Sequence, residues 1–346
     1  MNAHTKGDLQ QMQSLPLSAK ILMTQRRIRD WVDYWNGDVY VSFSGGKDST
    51  VLKHIVDSMY DDIPAVFVNT GLEYPEIQTF VREVKAGKYP CFNPDVEILR
   101  PEMRFDEVIE KYGYPVVSKE VANTVYGARH GGGSGKWKTT RLLRLKGELL
   151  DKEGNKSRFN CEKWAFLLDA PFEISDHCCA VMKKKPAKKY EHATGRKPII
   201  GTMADESRLR MQQWIENGCN SFEGKKARSA PLSFWTEQDI LHYIQDYGVP
   251  YCPVYGDIQI KRTKQDDQIP GQMNMIDYLG CYEAEDLLET TGCDRTGCMF
   301  CMFGCHLEKS PNRFQRMKQN HPKQWEYCMD KLGLKEVLEY IGVPYE

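Results

Sequence analysis

No stretch of this 346-residue chain approaches the roughly 18 consecutive apolar residues that a membrane-spanning helix needs. The opening MNAHTKGDLQQMQ also lacks the apolar centre of a secretory signal. Nor does charge of one sign dominate: 47 Lys and Arg stand against 48 Asp and Glu, a formal net charge of −1. A uniformly cationic chain is thereby excluded, and any nucleic-acid contact must come from local patches. No internal repeat is visible. These absences make a cytoplasmic protein with no membrane partner the expectation. The 12 cysteines then read as reduced thiols and metal ligands rather than a disulfide framework. The length accommodates one large α/β domain with insertions, or two domains.

Against that background one stretch stands out, Ser44-Gly45-Gly46-Lys47-Asp48-Ser49. It follows the β-branched and aromatic run Val39-Tyr40-Val41-Ser42-Phe43 and leads into the apolar-periodic Val51, Leu52, Ile55, Val56 and Met59. The pattern predicts strand, tight glycine turn and helix. A helix N-terminus offers unpaired N–H groups and the positive end of a dipole, so it favours an anion. Two glycines let the backbone approach a phosphate, Lys47 adds a point charge, and Ser44 and Ser49 add donors. The loop is not of Walker A type, because no glycine sits five residues before Gly46.

Further strands are predicted at Ala65–Thr70, Val96–Arg100 and Pro198–Thr202, with helices over about Leu17–Trp35, Pro75–Ala86, Phe105–Tyr112 and Ala204–Asn217. Such alternation argues for an α/β fold, a doubly wound and mainly parallel sheet with helices on both faces. Ligands in such sheets sit at the carboxyl ends of strands. That places Asn69-Thr70-Gly71-Leu72-Glu73 beside the phosphate loop as a second ligand-facing turn. Thr236, with Asp239 three residues on, opens another helix. Residues 256–292 read as a polar insertion, and residues from about Asn312 onward as helical. The expected division is an N-terminal helix at 1–37, a nucleotide-binding domain at 38–255 and a Cys-rich remainder at 256–346. Residues 127–163 form a basic insertion with ten Lys/Arg against four acids, and seven more Lys/Arg lie in 181–197. Such runs read either as solvated loop charge or as a polyanion-binding surface.

Cys178-Cys179 is followed more than a hundred residues later by Cys293, Cys298, Cys301 and Cys305. Four cysteines so close together among glycines, one pair at C-x-x-C spacing, point to bound metal: an Fe–S cluster, or zinc as the alternative. Cys91, Cys161, Cys219, Cys252, Cys281 and Cys328 are scattered and read as structural.

The string SGGKDS resembles the pyrophosphate-binding (PP) loop of the adenine-nucleotide α-hydrolase-like superfamily. The chain as a whole resembles the phosphoadenosine phosphosulfate (PAPS) reductase family. The likeness rests on Ser42–Ser49, Asn69–Glu76, Cys178-Cys179 with Lys183–Pro186, Gly201–Arg210, Pro231–Thr236 with Asp239, and Gly297–Cys301. It implies that Ser42, Ser44, Gly45, Gly46, Lys47, Asp48, Ser49, Thr70, Gly71, Glu73 and Gly201 bind an adenine nucleotide, either ATP or a sulfonucleotide (APS or PAPS), with magnesium as a companion ion. It implies that Lys47, Asp48 and Arg208 or Arg210 serve the reacting anion. From the family's cluster-bearing branch, Cys178, Cys179, Cys298 and Cys301 would hold a 4Fe-4S cluster, with Cys293 and Cys305 as reserve ligands.

One departure separates this chain from sulfonucleotide reductases, whose C-terminal tail carries a nucleophilic cysteine in Glu-Cys-Gly-Leu-His. Here the sequence ends Tyr340-Ile-Gly-Val-Pro-Tyr-Glu346, and the nearest thiols are Cys305 and Cys328. Attack on sulfur needs a thiolate. Three readings result. The first is an ATP-cleaving sulfurtransferase that releases pyrophosphate, supplied by a sulfur donor protein and acting on an acceptor such as nucleic acid. The second is an APS/PAPS reductase-like oxidoreductase with a relocated nucleophile. The third is a non-catalytic nucleotide-sensing partner subunit. Each is compatible with an oligomer.

Overall fold

The strands form where β-branched and aromatic residues run without interruption. In the computed structural model, which describes residues 4–131, 135–223, 227–261 and 286–346, β1 is Val39–Ser42, β2 Ala65–Val68, β3 Val96–Leu99 and β5 Lys197–Ile200. With β6 (Asn220–Ser221) and β7 (Arg228–Ser229) they make one six-stranded sheet in the order β3-β2-β1-β5-β7-β6. The pairs β1–β2, β1–β5 and β5–β7 are parallel, and the short β6 runs antiparallel to β7. Helices flank the sheet: α2 (Leu17–Tyr34), α3 (Lys47–Asp57), α4 (Pro75–Lys85), α10 (Arg208–Asn217) and α11 (Glu237–Asp246). This is the doubly wound α/β arrangement. From β1 the order runs to β2 on one side and β5 on the other, the switch point at which such sheets bind ligands.

The core lies against this sheet. Val39, Val41 and Phe43 of the first strand pack with Val51, Leu52 and Ile55 of α3, Ile28 and Trp31 of α2, and Trp235 and Ile240 near α11. Two ion pairs are buried there. Lys20 Nζ on α2 meets Asp239 on α11 at 2.7 Å and ties the two helices, and Lys53 meets Asp57 at 2.8 Å within α3. Asp239 also completes the capping box with Thr236 at the start of α11, as the sequence pattern predicts.

The chain forms two compact units. The first comprises residues 1–67, 74–98 and 191–296, and the second residues 68–73, 99–190 and 297–346. In the second unit, β4 (Val116–Val117) pairs in parallel with β10 (Met302–Phe303). Around this ladder stand α5 (Phe105–Tyr112), α6 (Lys119–His130), α7 (Gly135–Lys146), the helical stretch 177–194 and the helices Arg313–Asn320 and Leu334–Tyr340.

Three elements differ from the expectation. Residues 1–37 hold two helices, α1 (Lys6–Gln13) with its own Thr5 capping box and α2, rather than one. The helix expected from Ala204 starts only at Arg208, because Ser207 is extended and caps it by accepting from the Arg210 N–H. The insertion at 256–292 carries an antiparallel hairpin, β8 (Ile258–Ile260) with β9 (Leu288–Thr290). Its centre, 262–285, lies outside the described residues, as does Cys281.

Candidate functional site

In the first unit residues 43–46, the candidate phosphate loop, join β1 to α3 at the switch point. Gly45 adopts φ +73°, a left-handed conformation that glycine accepts without cost, and it reverses the chain after the strand. Gly46 is the N-cap of α3 and offers no side chain to its N–H groups. The serines instead brace the turn. Ser44 N–H donates to Ser49 Oγ at 3.1 Å, the two hydroxyls lie 2.9 Å apart, and Ser49 Oγ donates to the Gly46 carbonyl at 2.9 Å. Ser42 ends β1 between Val66 and Ile200. Gly201, just past β5, lies so close to α3 that a Cβ there would sit 3.0 Å from the Asp48 carbonyl oxygen. The glycine at 201 therefore serves packing of the loop's helix.

Lys47 is buried and heavily engaged. Its Nζ pairs with Glu237 at 2.7 Å, donates to the Asp294 carbonyl and lies 5.2 Å from the centre of the Tyr255 ring. Its N–H donates to the Tyr255 hydroxyl at 3.2 Å, and that hydroxyl lies 2.7 Å from Thr296 Oγ1. Burial pushes the Tyr255 phenol well above its ordinary range, so it stays protonated. Burial likewise raises the Asp48 carboxyl, against the pull of Lys47, Arg295 and Arg210. Asp48 Oδ1 is a buried acceptor with no hydrogen-bond partner among the described residues.

Of the two arginines singled out from sequence, Arg210 belongs here. It pairs with Glu206, and Glu206 also holds Arg295. Arg208 is exposed on the first turn of α10. Tyr255, Glu237, Glu206 and Asp294-Arg295-Thr296 were missed by sequence reasoning. Glu237 opens α11 and Glu206 lies just before α10, whereas Tyr255 and Asp294-Arg295-Thr296 flank the β8–β9 pair, where Gly292 N–H donates to the Tyr255 carbonyl at 2.8 Å and Cys293 N–H to that of Val254 at 3.0 Å. The one available signal was a cluster of Asp, Arg and Thr between two cysteines.

The second unit holds the thiols. Cys178, Cys179, Cys298 and Cys301 line one pocket with Leu72, Phe105, Pro115, Met182, Lys183 and Phe300. Local structure explains the convergence. Helix His177–Cys179 passes into a π-helical turn, Ala180–Lys184, in which Lys185 N–H bonds back to the Ala180 carbonyl. Pro186 follows; it has no N–H and its ring crowds the carbonyl four residues earlier, which loosens this turn. Cys301 is delivered by the β4–β10 ladder, and Met299 N–H donates to the Leu72 carbonyl at 2.8 Å.

Cys178 and Cys179 Sγ are 4.0 Å apart. Cys179 is driven down by the thiol of Cys178 and then by Lys119, Lys183 and Lys184, while Cys178 is pushed up. Burial raises Cys298 to about 11. Burial opposes the charge on Lys183, but Cys298 and Glu73 outweigh it and hold its pKa above the ordinary value. Four thiols in a largely apolar pocket beside lysines are a soft, anionic donor set that suits a thiolate-bound metal or cluster. Among the described residues, however, no three His, Cys, Asp or Glu side chains are grouped as one metal ion would need.

Thr70, Gly71 and Glu73 also fall in this unit. Glu73 is buried, accepts from the Thr70 N–H at 3.0 Å and hydroxyl at 2.7 Å, and lies 3.7 Å from Lys183. Neither reserve cysteine lines the thiol pocket. Cys293 is in the first unit, and Cys305 is buried with its thiol donating to the Met302 carbonyl at 3.0 Å. Burial raises Cys305 and Cys328 each to about 12, so both are neutral.

Much of the basic insertion is spent internally. Arg129 donates to the carbonyls of Leu167, Leu168, Ala170 and Phe172, Arg141 to Asn123, and Arg144 to Phe159 and Glu120. Lys185 and Lys189 meet Glu102. Arg158 lies over the exposed Phe159 ring at 5.0 Å and Lys163 over Trp164 at 5.2 Å. Lys136 and Lys138 have side chains outside the described set. No helix among the described residues is long and apolar enough to cross a membrane.

A model of the phosphoadenosine phosphosulfate reductase domain matches residues 38–125 and 143–302, more than two thirds of the chain. An uncharacterised protein of Methanocaldococcus jannaschii is 34% identical over 90 residues, 26% of this chain and 21% of that one. An adenosine 5'-phosphosulfate reductase of Staphylococcus epidermidis is 23% identical over 222 residues, 63% of this chain and 65% of that one. The chain thus spans about a fifth of the first relative's length and just under two thirds of the second's. Among solved structures, a phosphoadenylyl-sulfate reductase from Candida auris in complex with phosphate aligns with TM-score 0.38 and 15% identity, over 72% of this chain and 91% of that one. The tRNA thiolase NcsA from Methanococcus maripaludis, with its 4Fe-4S cluster, aligns with TM-score 0.34 and 18% identity, over 68% and 66%.

Proposed function

Because the chain belongs to the phosphoadenosine phosphosulfate reductase domain family, we propose that it binds an adenine nucleotide at residues 44–49, and that this nucleotide is ATP, cleaved between its α- and β-phosphates with release of pyrophosphate. The acceptor oxygen attacks the α-phosphorus and the bond to the bridging oxygen breaks, so negative charge grows on the leaving pyrophosphate. Lys47, buried at the first turn of α3, and the first N–H groups of that helix would receive that charge. The unpartnered Asp48 Oδ1 would face a magnesium ion carried by the nucleotide.

Cys178, Cys179, Cys298 and Cys301 would hold a 4Fe-4S cluster, their shared pocket and the neighbouring Lys183 suiting a thiolate-bound anionic group. Bound there, it would supply the sulfur chemistry that follows activation. A nucleic acid is the acceptor we favour. The support is the set of cation–aromatic pairs at Arg158–Phe159 and Lys163–Trp164, which suit phosphates and unstacked bases together.

The observation that carries this reading over sulfonucleotide reduction is the state of Cys305 and Cys328. Both are buried, neutral and hydrogen-bonded to backbone carbonyls, at Met302 and Trp325. A thiol so placed is a poor nucleophile. The second reading, reduction of APS or PAPS, is favoured by the reductase relatives. Pyrophosphate release from ATP, measured against sulfite release from APS or PAPS, separates the two.

A further inference from the structure

Arg210 and Arg295 share a single carboxylate, Glu206. Two guanidinium groups on one carboxylate leave a net positive charge beside α3. Glu206 is itself fixed by accepting from the Met203 N–H at 2.9 Å and is only 12% exposed. Arg295 is 59% exposed, so it can turn to another partner with little desolvation. An exposed ion pair of this kind contributes little to stability, which leaves its placement unexplained by folding alone.

Its neighbours in sequence explain the placement. The Asp294 carbonyl takes Lys47 Nζ, and the Thr296 hydroxyl bonds to the Tyr255 hydroxyl that accepts the Lys47 N–H. Thr296 Oγ1 would lie 3.2 Å from a Cβ placed on Gly46. Arg295 is therefore carried on a tripeptide whose other two members already face the phosphate loop. Its charge, with those of Lys47 and Arg210, bears on Asp48 at the first turn of α3.

We propose that Arg295 is a phosphate-binding residue of this site, acting beside Arg210, and that Glu206 is the internal carboxylate that a pyrophosphate group replaces. The ligand class is a di- or triphosphate, whose adjacent oxygens match the planar fork of a guanidinium. The inference rests on the phosphate-loop reading above and deepens it.

The test is calorimetric titration of the full chain with inorganic pyrophosphate, for the native protein and for Lys47→Ala, Arg295→Ala, Arg295→Lys and Glu206→Gln. Arg295→Ala should bind roughly tenfold or more weakly, as loss of a charge-assisted contact implies, with Arg295→Lys intermediate. Glu206→Gln should bind more tightly than native, because the internal competitor has lost its charge; a merely structural ion pair would not give that gain. Native affinity in Arg295→Ala alongside loss in Lys47→Ala would overturn the role of Arg295 and leave the loop assignment standing. No gain in Glu206→Gln would overturn the replacement of Glu206. Indifference of Lys47→Ala would remove the phosphate-loop reading and this inference with it.

Discussion

Lys47 Nζ lies 2.7 Å from a carboxylate oxygen of Glu237, the first residue of α11. The lysine is buried while the Glu237 side chain is 53% exposed. The charge that should meet a phosphate is thus held by a half-exposed partner. Glu237→Gln should release it and tighten ATP binding a few-fold, a modest effect because the pair is half solvated. Fluorescence titration with a labelled ATP analogue measures this. Weaker binding in the variant would show that Glu237 assists the nucleotide rather than competing with it.

The cysteine assignment predicts separate outcomes for thiols that sit side by side in sequence. Cys298→Ser and Cys301→Ser should each lose most of the iron of anaerobically purified protein. Cys305→Ser should keep it, since that thiol is buried and bonded to the Met302 carbonyl. Iron content and the visible absorbance spectrum report both. Equal iron in all three variants would remove Cys298 and Cys301 as ligands.

His54 supplies a pH prediction away from either site. Its ring lies 3.0 Å from the Tyr243 hydroxyl, and burial holds its pKa below the ordinary 6.5. Below pH 6.5 the unfolded chain takes up a proton that the folded protein refuses. Stability from this group is therefore complete above 6.5 and declines as pH falls toward the lower folded value. The urea midpoint should drop between pH 7.5 and pH 5, and His54→Gln should drop less. An identical decline in the two proteins would contradict the shift.

The strand, glycine turn and helix around residues 44–49 were legible because everything that makes them is local: a β-branched strand, two glycines and an apolar helix face in one short stretch. The capping box of Thr236 and Asp239 was legible for the same reason. The convergence of Cys178 and Cys179 with Cys298 and Cys301 was legible only through the family resemblance and not from spacing, since it depends on the parallel β4–β10 ladder and on the loosened turn before Pro186. Arg295 and Tyr255 were hidden for a similar reason, because a hairpin more than 200 residues beyond Lys47 brings them to it. Charge counting misled most at Arg129. It reads as part of a basic surface, yet its guanidinium closes four carbonyls of the 167–172 segment. Composition counts charges but does not say where they point.

The most direct test of the account follows two products from one preparation, the full chain purified without oxygen and loaded with iron. One arm supplies ATP and magnesium with bulk tRNA and DNA as acceptors, and reads inorganic pyrophosphate. The other supplies APS or PAPS with a dithiol reductant, and reads sulfite. The expectation is pyrophosphate in the first arm, lost in Lys47→Ala, with no sulfite in the second. Sulfite from APS or PAPS, with no pyrophosphate from ATP, would contradict it and make the protein a sulfonucleotide reductase.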